Sequence, residues 1–471
     1  MEGPPEKKQR LEDPGKPTVQ ANDSINFHFC SPTSAVRDLQ SSHSFPPEFT
    51  HQLFGDDEEI QGFVGLEINV WLAQPSFHAF VDVSCTLHRP DADDVDGQFR
   101  KHFPGVTFSK EDFASKQSAE AMQLTAEQLG QPIKASSSTT VHQFNLRTAP
   151  QAIKDVHARM QPLLLFFVDA ASVIDQEDGD WDLLLAVRHQ EGHPQIVGFC
   201  TVYNYYAWPD RKRLRLSQIL IWPPFQRQGL GRLLLQSVYA LAERINCVDV
   251  TFEDPTDELQ LLREGVDVER AASSGWLPEL AAKTAAVAHN SNGASTYANG
   301  NPAQAAASKA SSSKGKGPLV PSPGDKENAP SAAPLPNLAL PADSEARARK
   351  ELRLTKEQVR RIWESLLFRQ KAMQSEPGIG RLKTLIGQRL ACNKENTKMA
   401  EGKRVVNGEG EGFVMMRFPA DLAAKLPKST EPEGHDGSTG AAAKDSDIAE
   451  MIDARIQDLE VWFTSQHSNW C

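Results

Sequence analysis

Alternating apolar and polar residues predict strands in the first third of the chain. Apolar side chains occupy every second position over residues 66–72 and again over residues 79–87. A period of two places every second side chain on one face of a strand. We therefore predict two strands of an N-terminal α/β domain over residues 23–150. The polar, Pro-rich residues 1–22 before it are predicted to form a disordered tail, because they cannot bury a core.

From residue 151 onward the hydrophobic pattern changes repeatedly between helix and strand periods. The predicted elements, in chain order, are a short helix over residues 152–160, a buried apolar run over 163–168, a hairpin of 181–187 with 196–205, a strand over 214–222, an apolar-periodic helix over 230–241 and a strand over 248–252. This succession is typical of a mixed sheet with helices on its faces. We assign it to a second α/β domain over residues 151–284.

The last third of the chain is predicted to be helical after a long gap. Residues 285–344 are mostly Ala, Ser, Gly, Pro, Lys and Asn, which predicts a disordered insertion. Apolar residues recur at helical spacing over 359–367 and again over 448–462, which predicts two amphipathic helices. We therefore predict a C-terminal helical domain with polar linkers over residues 345–471.

The composition favours a soluble, intracellular protein with several domains. At 471 residues the chain is long enough for two or three of them. No membrane role is expected, because the strongest apolar run is far too short to cross a bilayer and the first residues have no signal-peptide core. The formal net charge of -12 argues against nonspecific DNA binding and leaves room for a basic partner. Six scattered cysteines without C-x-x-C spacing or paired histidines predict reduced thiols and no metal site.

A glycine-rich segment lies between the predicted strand over 214–222 and the helix after it. Its residues are Gln226, Arg227, Gln228, Gly229, Leu230 and Gly231. Glycine allows a turn with positive φ and lets backbone N–H groups at the helix start face an anion. The segment lacks the Lys-Ser/Thr ending of a P-loop and the acidic residue of a dinucleotide-binding fold. It therefore predicts either a phosphate site or only a tight strand-to-helix turn.

This segment resembles the Q/R-x-x-G-x-G/A signature of the GNAT acetyltransferases. Further blocks resemble the catalytic subunits of type B histone acetyltransferases and occur in the order seen in that family. They are FTHQLFGDDE (49–58), VDAASVID (168–175), TVYNYY (201–206), SQILIWPPFQRQGLG (217–231) and EDP (253–255). With the segments between them, these blocks cover most of residues 45–265. The resemblance implies a GNAT-type mixed sheet with flanking helices and the activity of a histone acetyltransferase.

The resemblance also implies acetyl-CoA as the cosubstrate, and no metal. The backbone of Ile219, Leu220 and Ile221 would pair with the pantetheine amides, while the glycine-rich segment would hold the pyrophosphate. Arg227 and Arg232 would add positive charge near the pyrophosphate or the 3′-phosphate. A solvated helix arginine is an equally good interpretation of Arg232.

Acetyl transfer to a lysine side chain requires a base. The reference pKa of lysine is about 10.4, so supplying the neutral amine near pH 7 costs roughly 4 to 5 kcal/mol. By resemblance, Glu253 is the general base. Asp254 is a further candidate, but with Pro255 it is also suited to start the following helix. Asp169 stands where the family has Glu, so it is either an accessory carboxylate with a shorter reach or a paired or solvated one.

The substrate groove is assigned by resemblance as well. Two groups of residues would line a groove for the tail of histone H4, namely Asp56, Asp57 and Glu58 in one group and Tyr203, Asn204 and Tyr205 in the other. Carboxylates attract a peptide rich in Lys and Arg, and tyrosines can cover its backbone. Without the family, the acidic triplet would be interpreted as a solvated loop and the tyrosines as cross-strand packing.

We expect a lysine acetyltransferase that acts on newly made, soluble histone H4. The resemblance further implies the histone partner of H4, a WD-repeat histone chaperone, a nuclear and cytoplasmic location, and no sequence-specific contact with nucleic acid. Two alternatives stay open. One is a GNAT enzyme for another amine, such as a protein N-terminus, and the other is a non-catalytic module that binds histones or senses acyl-CoA.

Overall fold

The computed structural model describes residues 15–30, 41–120, 125–190, 193–296, 337–406 and 439–468. Most of the predicted tail (1–14), the central part of the predicted insertion (297–336) and residues 407–438 of the polar linker predicted between the two C-terminal helices lie outside the described residues. Among the helices that are described, none is both long enough and apolar enough to cross a membrane.

The strands are short in the N-terminal region and longest in the middle of the chain. In chain order they are β1 (Thr18–Gln20), β2 (Ile25–Cys30), β3 (Ser41–Phe45), β4 (Glu59–Gln61), β5 (Phe63–Val64), β6 (Glu67–Ala73), β7 (Ala79–Ser84), β8 (Leu87–His88), β9 (Lys134–Ala135), β10 (Thr139–Asn145), β11 (Trp181–Gln190), β12 (His193–Ala207), β13 (Arg211–Ile221) and β14 (Val250–Phe252).

The helices become longer toward the end of the chain. In chain order they are α1 (Ala21–Ser24), α2 (His51–Phe54), α3 (Val95–His102), α4 (Lys110–Glu120), α5 (Ala126–Leu129), α6 (Gln151–Phe167), α7 (Leu230–Arg244), α8 (Asp257–Ser273), α9 (Trp276–Thr296), α10 (Ala342–Leu352), α11 (Lys356–Phe368), α12 (Glu376–Val406) and α13 (Thr439–Ser468). Short 3-10 helices lie at Pro223–Phe225 and Lys371–Met373.

The chain forms two compact units. The first contains the residues up to Val266 together with Arg349–Thr355, and the second contains Asp267–Ala348 and the residues from Lys356 onward. The two predicted α/β domains therefore lie largely within one compact unit.

The segment Arg349–Thr355 belongs with the first unit because it covers the outer edge of β14. The N–H of Val250 donates to the carbonyl of Arg353 at 3.0 Å. The Nη1 atom of Arg353 donates to the carbonyl of Cys247 at 2.9 Å. The first bond satisfies a backbone group that the last strand of the sheet would otherwise leave open, and the second satisfies a carbonyl just before that strand.

A four-stranded sheet with the order β3-β2-β6-β7 forms the N-terminal part of the first unit. Strands β2 and β6 are parallel, and the other neighbours are antiparallel. Phe27, Val70 and Val81 lie side by side across the sheet, and all three are buried. The strands predicted over 66–72 and 79–87 are confirmed as β6 and β7, although β7 ends at Ser84.

Ordered structure begins inside the predicted tail, so the prediction of disorder up to residue 22 is wrong for its last part. Val19 of β1 pairs with Ile60 of β4, and Ile60 is fully buried. The N–H of Ala21 donates to the carbonyl of Glu58 at 2.8 Å. Pairing with a distant strand orders this segment, and its own polar composition does not indicate such a pairing.

A six-stranded mixed sheet with the order β14-β13-β12-β11-β10-β9 follows. All neighbours are antiparallel except β13 and β14, which are parallel. The predicted hairpin is confirmed as β11 and β12, and the strand predicted over 214–222 is confirmed as β13. Helix α7 packs against β11, β12 and β13. The mixed sheet with flanking helices is thus the architecture that the sequence predicts.

Helix α6 combines two segments that the sequence pattern separates. The short helix predicted over 152–160 continues through Pro162 into the apolar run that ends at Phe167. A proline inside a helix costs about 3 kcal/mol. Leu163 and Phe166 are fully buried, and burial of each contributes about 2 kcal/mol. Packing therefore outweighs the lost backbone hydrogen bond.

The second unit is helical, as the sequence predicts. The helices predicted over 359–367 and 448–462 are confirmed within α11 and α13. Helix α9 extends to Thr296 and α10 begins at Ala342, so the predicted disordered insertion over 285–344 is wrong at both ends. Ala285 and Ala288 are buried in this helix, and alanine has the highest helix propensity. Small apolar residues are thus sufficient to pack there.

Buried charges join three helices of the second unit. Glu364 of α11 is 1% exposed. Its Oε1 atom accepts from Nε of Arg389 on α12 at 2.6 Å, and its Oε2 atom accepts from Nε of Arg455 on α13 at 3.2 Å. Removing one partner from such a group typically costs about 3 to 5 kcal/mol, because it leaves an uncompensated buried charge. Ion pairs as well as apolar contacts therefore hold this unit together.

Candidate active site

The strands β13 and β14 separate near the end of β14. Strand β14 pairs with β13 only over Leu214–Leu216. Strand β13 continues to Ile221, and no other described strand pairs with this edge beyond Leu216. Backbone N–H and C=O groups along an open edge can pair with an extended ligand. We call the place where the two strands part the strand fork.

A bulge at Ser217 marks the strand fork. In the ladder between β12 and β13, Val202 faces Leu216, whereas its neighbour Thr201 faces Gln218. Ser217 is therefore the extra residue on β13. One extra residue reverses which backbone groups point to each side of the strand.

The bulge decides which backbone groups reach the open edge. After it, the N–H of Trp222 donates to the carbonyl of Val197 on β12 at 3.1 Å. Because backbone direction alternates along a strand, Leu220 also faces β12, while Ile219 and Ile221 face the open edge. Of the three residues predicted to pair with pantetheine, two can thus offer their backbone N–H and C=O groups.

The glycine-rich segment forms an open turn at the start of α7. Gly229 precedes the helix and has a φ of 77°, the left-handed region that favours glycine. A β-carbon built on Gly229 meets no atom within 4 Å, whereas one built on Gly231 lies 3.0 Å from Cδ2 of Leu262 on α8. Gly229 therefore keeps space open at the helix N-terminus, and Gly231 allows α8 to pack closely.

The side chains of this segment do not all face the same way. Gln226 donates from Nε2 to the carbonyl of Ile221 at 3.1 Å, and Gln228 donates from Nε2 to the carbonyl of Pro224 at 3.2 Å. The two glutamines thus fix the turn, so a ligand would meet mainly backbone N–H groups. The other predicted ligand residues differ in exposure: Arg227 is exposed, Leu230 is buried and Arg232 is partly buried.

Glu253 stands at the strand fork. Its N–H donates to the carbonyl of Leu216 at 2.9 Å, which fixes the backbone at the last paired position. Its Oε2 atom accepts a hydrogen bond from Oγ of Ser217 at 2.6 Å, and its Oε1 atom lies 3.8 Å from Nη1 of Arg215. The Glu253 side chain is 41% exposed. An anchored and accessible carboxylate can accept a proton from a ligand in the fork.

Asp254 does not begin the helix that follows, so that prediction is wrong. Helix α8 begins at Asp257, and the hydroxyl of Thr256 accepts a hydrogen bond from the N–H of Leu259 at 3.3 Å. Thr256 is therefore the capping residue. Asp254 is exposed and has a φ of 32°, which is uncommon for a residue other than glycine.

Asp169 lies in the loop after α6 and is 73% exposed. Its Oδ1 atom lies 3.3 Å from Nε2 of His51. The same loop is held from two sides, because Gln218 donates to the carbonyl of Ser172 at 2.8 Å and Gln52 donates to the carbonyl of Ala171 at 3.1 Å. Gln218 follows Ser217, the residue that bonds Glu253. The structure thus ties the Asp169 loop to the strand fork.

The predicted acidic triplet is divided between two roles. Asp56 and Asp57 are exposed and line a cavity of about 440 Å³. Three further acidic residues, Glu59, Asp93 and Asp94, also line it. An opening of this kind attracts cationic side chains.

Glu58 does not belong to this lining. Its carboxylate accepts hydrogen bonds from the N–H groups of Thr50 at 2.7 Å and His51 at 3.1 Å, and from Nδ2 of Asn22 at 2.7 Å. Partial burial raises the pKa of Glu58, but these bonds outweigh it, so the net pKa is lowered. Glu58 therefore serves as a structural anchor for α2.

The predicted tyrosines and the asparagine between them face opposite sides of β12. Tyr203 and Tyr205 are partly buried neighbours with ring centroids 4.6 Å apart. Asn204 is buried and donates from Nδ2 to Oδ2 of Asp182 at 2.7 Å. Because side chains alternate along a strand, Asn204 does not line a groove with the tyrosines, and this part of the prediction is wrong.

Charged side chains flank the face of β12 that carries Tyr203 and Tyr205, which we call the tyrosine face. Burial, followed by the charge of Asp178, raises the pKa of Tyr203 to about 12, so its hydroxyl remains protonated near pH 7. The guanidinium of Arg215 lies 5.3 Å from the ring centroid of Tyr205 and also approaches Glu253. Arg215 thus links the tyrosine face to the strand fork. The sequence alone indicates only that Arg215 is an outward-facing residue of a strand.

Two family models match adjoining parts of the chain. The model described as "Histone acetyl transferase HAT1 N-terminus" matches residues 17–169, and the model described as "Acetyltransferase (GNAT) family" matches residues 155–259. Together they include the four-stranded sheet, the strand fork and the turn before α7. Residues 17–169 are therefore similar to the N-terminal region of a histone acetyltransferase, and residues 155–259 match a GNAT acetyltransferase domain.

Curated type B histone acetyltransferase catalytic subunits are similar to the chain over the same region. The protein of Homo sapiens is 34% identical over 250 residues, which are 49% of this chain and 60% of that protein. The one of Arabidopsis thaliana is 30% identical over 290 residues (57% and 62%), and one of Dictyostelium discoideum is 32% identical over 248 residues (48% and 50%). The chain thus spans about half to three fifths of the length of these relatives.

Solved structures overlap with a smaller part of the chain. An aminoglycoside acetyltransferase from a soil metagenome matches 27% of this chain and 86% of its own, with 15% identity and a TM-score of 0.22. A similarity this weak says nothing about the substrate. The GNAT fold of residues 155–259 is instead given by the family model and the topology of the six-stranded sheet.

Proposed function

We propose that this chain transfers an acetyl group from acetyl-CoA to lysine side chains in the N-terminal tail of histone H4. The observation that carries the proposal is the position of Glu253. Its carboxylate stands where β13 leaves β14, beside an open strand edge and in the same unit as the open turn before α7. A base, an edge for an extended ligand and a helix N-terminus for phosphate are the parts that this reaction needs.

The residues around the strand fork fit acetyl-CoA. Ile219 and Ile221 would pair with the pantetheine amides, and the backbone of Gly229 and Leu230 would face the pyrophosphate at the N-terminus of α7. The carbonyl of Ile221 already accepts a hydrogen bond from Gln226, so its N–H is the more available group. The acetyl thioester supplies an electrophilic carbonyl, and the protein orients it toward the amine.

In the proposed mechanism Glu253 acts as the general base. The carboxylate takes one proton from the lysine ammonium, directly or through a water molecule, and the neutral amine attacks the thioester carbonyl. A C–N bond forms, the nitrogen releases its second proton, the C–S bond breaks, and the departing CoA thiolate takes up that proton. The hydrogen bond from Ser217 holds the carboxylate in place for this transfer.

The acidic cavity supports a basic peptide as the acceptor. Asp56, Asp57 and the other carboxylates of the lining would attract Lys and Arg side chains beside the reacting lysine. Tyr203 and Tyr205 would cover the peptide backbone. We further propose that the acceptor is newly made, soluble H4 with its histone partner, bound together with a WD-repeat chaperone, and that the protein acts in both cytoplasm and nucleus.

Isotopic acetyl transfer tests this proposal directly. Labelled acetyl-CoA is offered to free histone H4, to an H4 peptide with its lysines replaced by arginine, and to a neutral peptide with a free N-terminus. We expect label on lysines of the H4 tail, located by mass spectrometry. Label on the N-terminus of the neutral peptide would support a GNAT enzyme for another amine, and binding of acetyl-CoA without transfer to any acceptor would support a non-catalytic module.

Neutralising the exposed part of the acidic triplet should weaken peptide binding. We expect Asp56→Asn with Asp57→Asn to raise KM for an H4 tail peptide several-fold at low salt, because exposed ion pairs contribute at most about 1 kcal/mol each. Affinity for acetyl-CoA should not change. The matched control, Glu111→Gln with Asp112→Asn, removes the same charge from α4 outside the cavity lining. An equal KM in both double variants would refute a peptide role for the cavity.

Glu58→Gln should behave differently and lower the melting temperature. A neutral amide accepts the N–H bonds of Thr50 and His51 more weakly than a carboxylate does. Because the pKa of Glu58 is lowered by folding, the carboxylate stabilises the fold above its unfolded pKa, and this is lost as pH falls through the folded value. The difference in melting temperature between parent and variant should therefore shrink below about pH 4. A difference that is the same from pH 3 to pH 7 would contradict the anchoring role.

A further inference from the structure

Arg188 lies beside the glycine-rich turn, although nothing in its sequence context indicates a functional site. It stands near the end of β11, opposite Gln195 of β12, and is partly buried. Its Nη2 atom donates to Oε1 of Gln228 at 2.8 Å. A residue forty positions earlier in the chain thus contacts the turn that precedes α7.

The other atom of the Gln228 amide is also engaged. Its Nε2 atom donates to the carbonyl of Pro224 at 3.2 Å. A guanidinium can only donate and a carbonyl can only accept, so only one orientation of the amide satisfies both neighbours. Arg188 therefore fixes the Gln228 side chain, and Gln228 ties the turn to Pro224 in the 3-10 helix before it.

The guanidinium of Arg188 is itself held on an aromatic surface. It lies 5.4 Å from the ring centroid of Phe225, which is within the range of a cation–π contact. Phe225 is buried, stacks on Phe29 at 6.0 Å and meets the ring of His43 at 4.9 Å. Burial, followed by the charge of Arg188, lowers the pKa of His43, so Arg188 is the cation of this cluster at neutral pH.

We propose that Arg188 is a positioning residue that holds the turn from Gln226 to Gly229 in its ligand-binding shape before acetyl-CoA arrives. The inference rests on the proposed function and adds a residue to it. Arg227 and Gly229 have φ values of 60° and 77°, and a glycine-containing turn has many other conformations. Fixing the turn in advance removes the entropy loss that binding would otherwise involve, which increases affinity.

Calorimetric titration of the full chain with CoA and with 3′-dephospho-CoA tests the proposal. We expect Arg188→Met to weaken binding of both ligands by the same factor, about tenfold, because a hydrogen bond to a charged group is lost. The matched control is Arg244→Gln. It removes another arginine-to-glutamine hydrogen bond, from Arg244 Nη2 to Gln143 Oε1 at the far end of α7, and should leave both affinities unchanged.

A double-mutant cycle separates positioning from direct contact. If Arg188 acts through Gln228, then Gln228→Met should weaken CoA binding to a similar degree, and the double variant should bind no more weakly than either single variant. Hydrogen exchange of the amides of residues 227–229 should also be faster in the unliganded Arg188→Met protein. Gln228 is exposed, so its variant gives a result even if Arg188→Met does not fold.

Three results would overturn the inference while leaving the proposed function intact. They are additive losses in the cycle, unchanged affinity and hydrogen exchange in the variants, or a loss confined to CoA, which would assign Arg188 to the 3′-phosphate. A parent protein that binds neither CoA nor 3′-dephospho-CoA would instead overturn the proposed function and this inference with it.

Discussion

Glu253→Gln should lower kcat for acetyl transfer to an H4 tail peptide by about 100-fold or more at pH 7. A positioned general base typically contributes roughly 10² to 10⁴ in rate. The amide keeps the shape of the side chain and can still accept the hydrogen bond from Ser217, but it cannot take a proton. Affinity for acetyl-CoA should be retained. The measurement is steady-state kinetics from pH 7 to pH 10, together with calorimetric binding.

The pH dependence distinguishes a base from a structural residue. The defect of Glu253→Gln should shrink as pH approaches about 10.4, since the lysine is then deprotonated in solution. A structural role would give a defect that does not depend on pH, or a protein that does not fold. Glu258→Gln removes a nearby exposed carboxylate in α8 and should behave like the parent. Normal turnover by a folded Glu253→Gln protein would move the base to Asp254 or Asp169.

Gly229→Asp should weaken acetyl-CoA binding by more than 100-fold, whereas Gly229→Asn should have a much smaller effect. A β-carbon at Gly229 meets no atom within 4 Å, so either side chain fits. The backbone strain is similar in the two variants, because Asn and Asp both tolerate positive φ better than most residues. Only charge separates them. Two unit negative charges about 5 Å apart at an effective dielectric constant of about 20 repel by about 3 kcal/mol, which is more than 100-fold in affinity.

Calorimetry and thermal unfolding of both Gly229 variants test this prediction. Gly275→Asp is the matched control, because Gly275 also has a positive φ, 72°, with no atom within 4 Å of a built β-carbon, but lies in the second unit. It should leave the affinity for acetyl-CoA unchanged. Equal affinities in Gly229→Asp and Gly229→Asn would exclude the turn as the phosphate site.

The order of strands and helices around the active site could be predicted because each element is periodic over its own length. The hairpin of β11 and β12 and the turn at Gly229 are examples, since alternation and a glycine before an apolar-periodic run are local signals. The joining of α6 across Pro162 could not be predicted in this way. Whether the helix continues past Pro162 depends on how deeply the residues after the proline are buried, and burial is a property of the whole fold.

The roles of individual polar residues were less predictable than the elements that carry them. Glu58 has the same carboxylate as Asp56 and Asp57, yet it anchors α2, because the N–H groups of Thr50 and His51 are within its reach. The sequence gives no distance between these groups. Arg188 is the opposite case: the sequence did not indicate a role for it, because its contact with Gln228 joins residues that are forty positions apart.

The way Arg353 covers β14 limits how this protein can be divided. A fragment that ends at residue 284 would contain every residue proposed for catalysis, yet it would lack the acceptor for the N–H of Val250. The outer edge of β14, the strand before Glu253, would then be unpaired and could pair with a strand of another protein molecule. Such edges favour aggregation. We therefore expect a continuous N-terminal fragment that stops before Arg353 to aggregate more readily than one that includes it. A later stretch of the chain completes the part that performs the chemistry.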